Sequence, residues 1–189
     1  MQEKWDKYFS GKVGAGECCL VLQEYSHLLP RQGCSLDLAC GLGANALLLA
    51  EHGLESHGWD ISSVALAKLH QSAVDRGLTV TTEQRNVEIL APAPNSFDVI
   101  VVSRFLYRPI CASLVDALNP GGLLFYQTFN KHHSSAGGPR NPAYLLDTDE
   151  LLSLFYSLTI IAHHEEAMPG NSQPGLGCQS YLLGQKPLF

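Results

Sequence analysis

Two carboxylates and two glycines mark the stretch where this chain could do chemistry. Asp37 stands four residues before Gly41 in the run Leu36-Asp37-Leu38-Ala39-Cys40-Gly41-Leu42-Gly43-Ala44-Asn45, and Asp60 follows in Gly58-Trp59-Asp60-Ile61-Ser62. The first run reads as a short buried strand, a glycine turn and the start of an apolar helix. Gly41 and Gly43 lack a Cβ, so a ligand can approach the backbone there. The helix that follows offers unpaired N–H groups. Two ligand classes use such a turn: dinucleotides and S-adenosylmethionine. Gly41-x-Gly43-x-x-Ala46, with Asp60 as an acid for a ribose, satisfies a relaxed dinucleotide pattern. Asp37 favours the other class. A carboxylate beside a doubly charged pyrophosphate is repelled in a low-dielectric cleft, whereas an ammonium and a sulfonium are attracted.

The elements needed to hold these residues can be read around them. Trp5, Tyr8 and Phe9 share one face of a short helix, and Gly11, Gly14 and Gly16 break it. A second helix is expected over 17–29, stopped by Pro30. Strands follow at 35–39, 55–59, 79–84, 97–102, 123–129, 157–162 and 179–183. The helix over 44–51 is apolar nearly all round and should be buried. Ser62 or Ser63 caps the next helix, which Gly77 stops. Pro109 suits the first turn of another helix, and 119–122 reads as a turn. Glu150, three after Asp147, suggests a capping box at a later helix start. The alternation gives a three-layer α/β fold. Its ligands are expected at the carboxyl ends of the strands, where Asp37, Asp60, Asn86, Ser103 and Gln127 lie.

The totals fit this picture. The chain has 189 residues, 46% of them hydrophobic and 16% charged, which suits one globular domain. A formal net charge of −6 argues against a broad nucleic-acid-binding face. The six cysteines show no zinc spacing, so free thiols in a reducing compartment are expected. No window reaches membrane-spanning length and no secretion signal is visible. A cytoplasmic protein without a membrane partner is the expectation; the sequence gives no oligomeric state.

In combination, the motifs resemble class I S-adenosylmethionine-dependent methyltransferases. The 36–45 run looks like that family's first motif and 58–62 its second. The segment 96–100 looks like its fourth strand, and 118–122 the turn before its fifth. The Ala-Cys-Gly-x-Gly-x-Asn form is most similar to the tellurite-resistance methyltransferase-like branch. The resemblance implies a Rossmann-like sandwich with a seven-stranded, mainly parallel sheet and an antiparallel last strand. It implies one domain over 1–189: a helical cap (1–30), a cofactor-binding core (31–130), and an acceptor-side loop, helix and strands (131–189). S-adenosyl-L-methionine would be the cofactor and S-adenosyl-L-homocysteine the product. Asp37 would hold the methionine amino group, directly or through water. Ala39, Gly41 and Gly43 would present backbone to the methionine end, with Asn45 beside them. Asp60 would accept the ribose hydroxyls, and Ile61 would pack on the adenine. Asn86 and Val87 fall where relatives often carry an acid for the adenine amino group, and Ser103 completes the cofactor set.

Methyl transfer is an in-line displacement, and alignment can supply most of the acceleration. No catalytic side chain is therefore identifiable. A small-molecule acceptor is expected over the ends of the fourth and fifth strands. Arg104, Arg108 and Arg140 could bind its anionic or metalloid group, and Tyr8, Tyr107 and Tyr126 could line the cavity. No Asn/Asp-Pro-Pro-Tyr or Pro-Cys pair follows the fourth strand, which disfavours adenine-N6 and cytosine-C5 methylation. His132-His133 and His163-His164 lack a metal-binding helix motif, and no metal is expected. Other readings are a non-catalytic S-adenosylmethionine-binding subunit, an RNA or protein methyltransferase working with a partner, and a dinucleotide oxidoreductase.

Overall fold

The computed structural model describes residues 1–131, 138–165 and 178–189. Its centre is β4 (Phe97–Ser103), whose Val99, Ile100, Val101 and Val102 are all fully buried. Successive strand residues point to opposite faces, so this run requires cover on both sides. Val99 and Val101 meet Val21 and Leu22 of α2 (Leu20–Glu24) and Leu49 of α3 (Ala44–Glu51). Ile100 and Val102 lie in the other core with Leu114 of α5 (Cys111–Ala117) and Leu151 of α6 (Glu150–Leu154).

The remaining strands are β1 (Cys34–Leu38), β2 (Glu55–Asp60), β3 (Val80–Gln84), β5 (Leu118–Phe129), β6 (Thr159–Glu165) and β7 (Gln179–Gln185). The seven strands lie in the order β3-β2-β1-β4-β5-β7-β6. Pairings among β1 to β5 are parallel, and β7 runs antiparallel to both β5 and β6. The strand order reverses between β1 and β4, which opens a crevice at their carboxyl ends. Over this end lie α1 (Gln2–Ser10) and the start of α4 (Ser63–Asp75).

Several boundaries differ from the sequence expectation. The helix expected over 17–29 shortens to α2 and a 3-10 turn, Ser26–Leu28. The reason is tertiary: the Cys19 N–H donates to Asn45 Oδ1 at 2.9 Å and the Val21 N–H to Gln127 Oε1 at 3.1 Å. The expected turn at 119–122 is drawn into β5, with a register shift against β4 between Phe97 and Val99. β6 starts two residues later than expected, at Thr159, because Leu158 is still in a turn, its N–H donating to Phe155 O. The capping box is half formed. Glu150 Oε2 accepts the Asp147 N–H at 2.8 Å, but Asp149 holds the cap position, with φ 56°. The Ser62 cap is as expected, its Oγ accepting the Ala65 N–H at 3.2 Å. Cys18, Cys19, Cys34, Cys40 and Cys111 are free thiols. Among the described residues no helix is long and apolar enough to cross a membrane.

Candidate functional site

The turn after β1 is built from left-handed backbone. Ala39 (φ 57°), Gly41 (φ 53°) and Gly43 (φ 79°) fold the chain back into α3. Such a conformation is costly for alanine and persists only where its surroundings enforce it. Here the Cys40 N–H donates to Trp59 O at 3.0 Å, the Gly43 N–H to Cys40 O at 2.9 Å and the Gly41 N–H to Asp60 Oδ2 at 2.8 Å. The two glycines have separate reasons. A Cβ on Gly43 would stand 2.2 Å from Leu69 Cδ1, and one on Gly41 would stand 3.0 Å from Phe9 Cζ. The open space expected beside Gly43 is thus filled by a side chain of α4, a correction to the idea that both glycines make room for a ligand.

Both carboxylates are buried beside this turn. Asp37 is 1% exposed; its Oδ2 accepts the Ala46 N–H at 3.1 Å and its Oδ1 accepts Asn45 Nδ2–H at 3.2 Å. Burial pushes its carboxyl up to about 7, against the lowering effect of those two donors and with a further push from Asp60. Asn45 therefore acts as a bridge, holding Asp37 through its amide nitrogen and the segment before α2 through its oxygen. Asp60 accepts N–H groups on both oxygens, from Gly41 and from Ser62 at 2.8 Å, and burial raises it too.

The cover over this site was only partly legible in the aromatic helix. Asp6 Oδ1 accepts Ser62 Oγ–H at 2.6 Å and the Val64 N–H at 3.3 Å. Lys68 Nζ donates to the carbonyls of Phe9, Ser10 and Lys12 at 2.7, 3.1 and 2.6 Å, so α4 grips the end of α1. No local pattern marks Lys68, whose partners lie 56 to 59 positions away in sequence. Ile61 is half-buried, and its carbonyl accepts Gln84 Nε2–H at 3.2 Å. Asn86 Oδ1 accepts the Glu88 N–H at 3.1 Å, while Val87 is buried in the core. Ser103 is half-buried at the end of β4. Gln127, polar yet only 4% exposed, is another hub: besides Val21 it binds Gln179 Oε1 at 3.0 Å.

The acceptor-side candidates separate. Arg108 does not present a free guanidinium. It forks Glu150 through Nε and Nη2, at 2.5 and 2.9 Å, and donates to the carbonyls of Ala143 and Leu145 at 2.7 and 2.9 Å. Tyr126 is fully buried, its hydroxyl donating to Phe105 O at 2.9 Å, so it packs the core and does not line a cavity. Arg104 is exposed with φ 54°, and its N–H donates to Gln127 O at 2.8 Å. Tyr107 is half-buried beside a small hollow of ≈ 150 Å³ shared with Val87 and Ile110. Tyr8 and Arg140 are exposed. His132 and His133 lie outside the described residues; His164 stacks on Tyr181. A larger hollow of ≈ 670 Å³ lies at the opposite, amino end of the sheet, beside Gly33, Asp98 and Gly121. Asp98 there already accepts from the Cys34 N–H and Asn119 Nδ2–H, each at 2.8 Å.

Residues 36–122 match the family model described as a methyltransferase domain. That segment holds Asp37, the glycine turn, Asp60 and the fourth strand together. Among curated proteins, the chain is similar to ubiquinone biosynthesis O-methyltransferases. That of Methylococcus capsulatus is 33% identical over 116 residues, covering 58% of this chain and 48% of the relative. That of Burkholderia vietnamiensis is 30% identical over 120 residues, covering 60% and 51%. The chain spans about half the length of the curated relatives it matches. In solved structures the whole fold recurs. TehB from Haemophilus influenzae superposes with a TM-score of 0.75 at 19% identity, over 96% of this chain and 67% of that one. An S-adenosylmethionine-dependent methyltransferase from Methanosarcina mazei gives 0.70 at 19%, over 92% and 100%. At these identities the likeness is one of fold.

Proposed function

We propose that the chain is an S-adenosylmethionine-dependent methyltransferase acting on a small-molecule acceptor. The observation that carries this is the pair of buried carboxylates, Asp37 and Asp60, flanking the glycine turn. Among the described residues neither has a cationic partner. A pyrophosphate would meet two negative groups here; a ligand with an ammonium and a ribose diol meets complementary ones. When bound, S-adenosylmethionine supplies a methyl group on an electrophilic sulfonium.

The residues divide that work. Asp37, held by Asn45 and the Ala46 N–H, places negative charge at the end of β1 for the amino group. Ala39, Gly41 and Gly43 present backbone beside it. Asp60 spends one lone pair of each oxygen on the protein and keeps others for hydroxyls. Ile61 supplies an apolar wall for the adenine, with Asn86, Val87 and Ser103 around the ring. The acceptor sits over the ends of β4 and β5, where holding it in line is the main catalytic task. With Arg108 engaged by Glu150, recognition of an anionic or metalloid group falls to Arg104 and Arg140. The curated relatives are named O-methyltransferases, which favours a small oxygen acceptor for this chain as well.

Calorimetry tests the reading. S-adenosylhomocysteine should bind and NAD should not; the reverse result overturns it. A turnover screen over phenols, carboxylates, thiols, metalloid oxyanions and tRNA should find methylation among the small molecules. Methylation of tRNA alone would overturn the acceptor class.

A further inference from the structure

We propose that Asp149, His163 and Glu165 form a binding site for a divalent metal ion of the zinc class, outside the methyl-transfer cleft. His163 and Glu165 are two apart on β6, so both face the side covered by α6, while Asp149 stands at the start of α6. One ligand atom from each of the three side chains lies within 4.8 Å of the others. Two further observations point to a ligand. His163 Nε2 and Glu165 Oε1 are both buried with no hydrogen-bond partner, a costly state for polar atoms. The other oxygen of Glu165 accepts the Asp149 N–H at 2.9 Å, which fixes the carboxylate and leaves Oε1 unspent.

The nearby cations are committed elsewhere. Lys131 pairs with Asp147 at 2.5 Å and Arg108 with Glu150. Among the described residues, two carboxylates therefore converge on an imidazole without a Lys or Arg side chain paired to them. Donors about 2.0–2.2 Å from a tetrahedral ion stand roughly 3.4 Å apart. Small rotations of the exposed Asp149 side chain would bring the set to that spacing. One nitrogen and two oxygens suit Zn²⁺ or Co²⁺, with water in the fourth position. The site lies two strands beyond β5, about 10 Å along the sheet at the usual strand spacing. An ion there would fasten the segment ahead of α6 to the end of β6. The second cluster, Cys34, Glu55 and His57, is a weaker candidate: it holds one partnerless buried atom, His57 Nε2, where the first holds two, and its Glu55 is exposed.

Titration of the metal-free protein with Co²⁺, followed in the visible region, tests the site. One equivalent should bind, giving d–d bands without a thiolate charge-transfer band. His163→Ala and Asp149→Asn should each abolish those bands, and His57→Ala should leave them unchanged. Asp149 is exposed, so its variant serves even where the histidine variant fails to fold. No bound Co²⁺, bands that persist in Asp149→Asn, or a thiolate band that disappears in His57→Ala would each overturn the proposal.

Discussion

The Gly41 N–H donates to the Asp60 carboxylate at 2.8 Å, which makes the glycine turn and the end of β2 one unit. Removing that carboxylate should hurt twice. Asp60→Ala leaves the Gly41 and Ser62 N–H groups without their acceptor, each costing about 1–3 kcal/mol where buried. It also removes the proposed diol acceptor. Urea unfolding should show the stability loss, and calorimetry at least a tenfold weaker S-adenosylhomocysteine complex. An unchanged affinity would remove Asp60 from the ligand site.

Asp37 should make both stability and binding depend on pH. Its folded value of about 7 lies above the ordinary 3.8, because burial disfavours the charge. The folded state thus holds a proton that the unfolded state has released. The resulting stability is fully present below the ordinary value and is lost as pH rises through 7. Integrated over the whole shift it is of order 4 kcal/mol. A bound ammonium would draw the proton off, so binding should tighten from pH 6 to 8 and release protons near 7. Calorimetry in buffers of different ionisation enthalpy measures that release, and Asp37→Asn should abolish both it and the stability slope.

Gly43 and Leu69 should be energetically coupled. Gly43→Ala puts a methyl into Leu69 at a left-handed φ of 79°, and should destabilise by about 1–3 kcal/mol. Leu69→Ala, at a fully buried position, should cost about 2–5 kcal/mol. The double variant should be more stable than the sum of the two losses implies, since each relieves the other. Strict additivity in a denaturation cycle would contradict the packing account.

Much of the fold was legible because local and tertiary signals agree. The continuous apolar run of β4 admits only a strand covered on both faces, and Ser62 is a cap by residue type alone. Asp37 and Asp60 could be placed at strand ends for the same reason. Long-range engagement was not legible. Nothing beside Arg108 in sequence reveals that Glu150 and two carbonyls take its donors, and nothing near Tyr126 reveals the Phe105 carbonyl that lets a phenol be buried. Residue type announces the capacity to bind; the fold decides whether that capacity is already used.

Arg108 should accordingly behave as a fastener. Arg108→Ala should lower stability by about 1–3 kcal/mol through the lost charged hydrogen bonds, discounted for its partial exposure. Arg108→Lys should recover only part, because an ammonium cannot make the planar fork to Glu150. Affinity for S-adenosylhomocysteine should stay within about twofold of wild type. If calorimetry shows selective loss of an anionic acceptor with stability intact, the guanidinium belongs to the acceptor site after all.

The position of β7 has a consequence for synthesis. It is later in sequence than β6 yet lies between β5 and β6, and among the described residues β6 pairs with no other strand. On the ribosome, β1 to β5 can assemble as soon as they emerge. Until Gln179–Gln185 has left the exit tunnel, however, β5 keeps an open edge and β6 has nothing to pair with. The nascent chain carries the whole proposed cofactor cleft while its sheet is still incomplete, a period when an unpaired edge invites association with other chains.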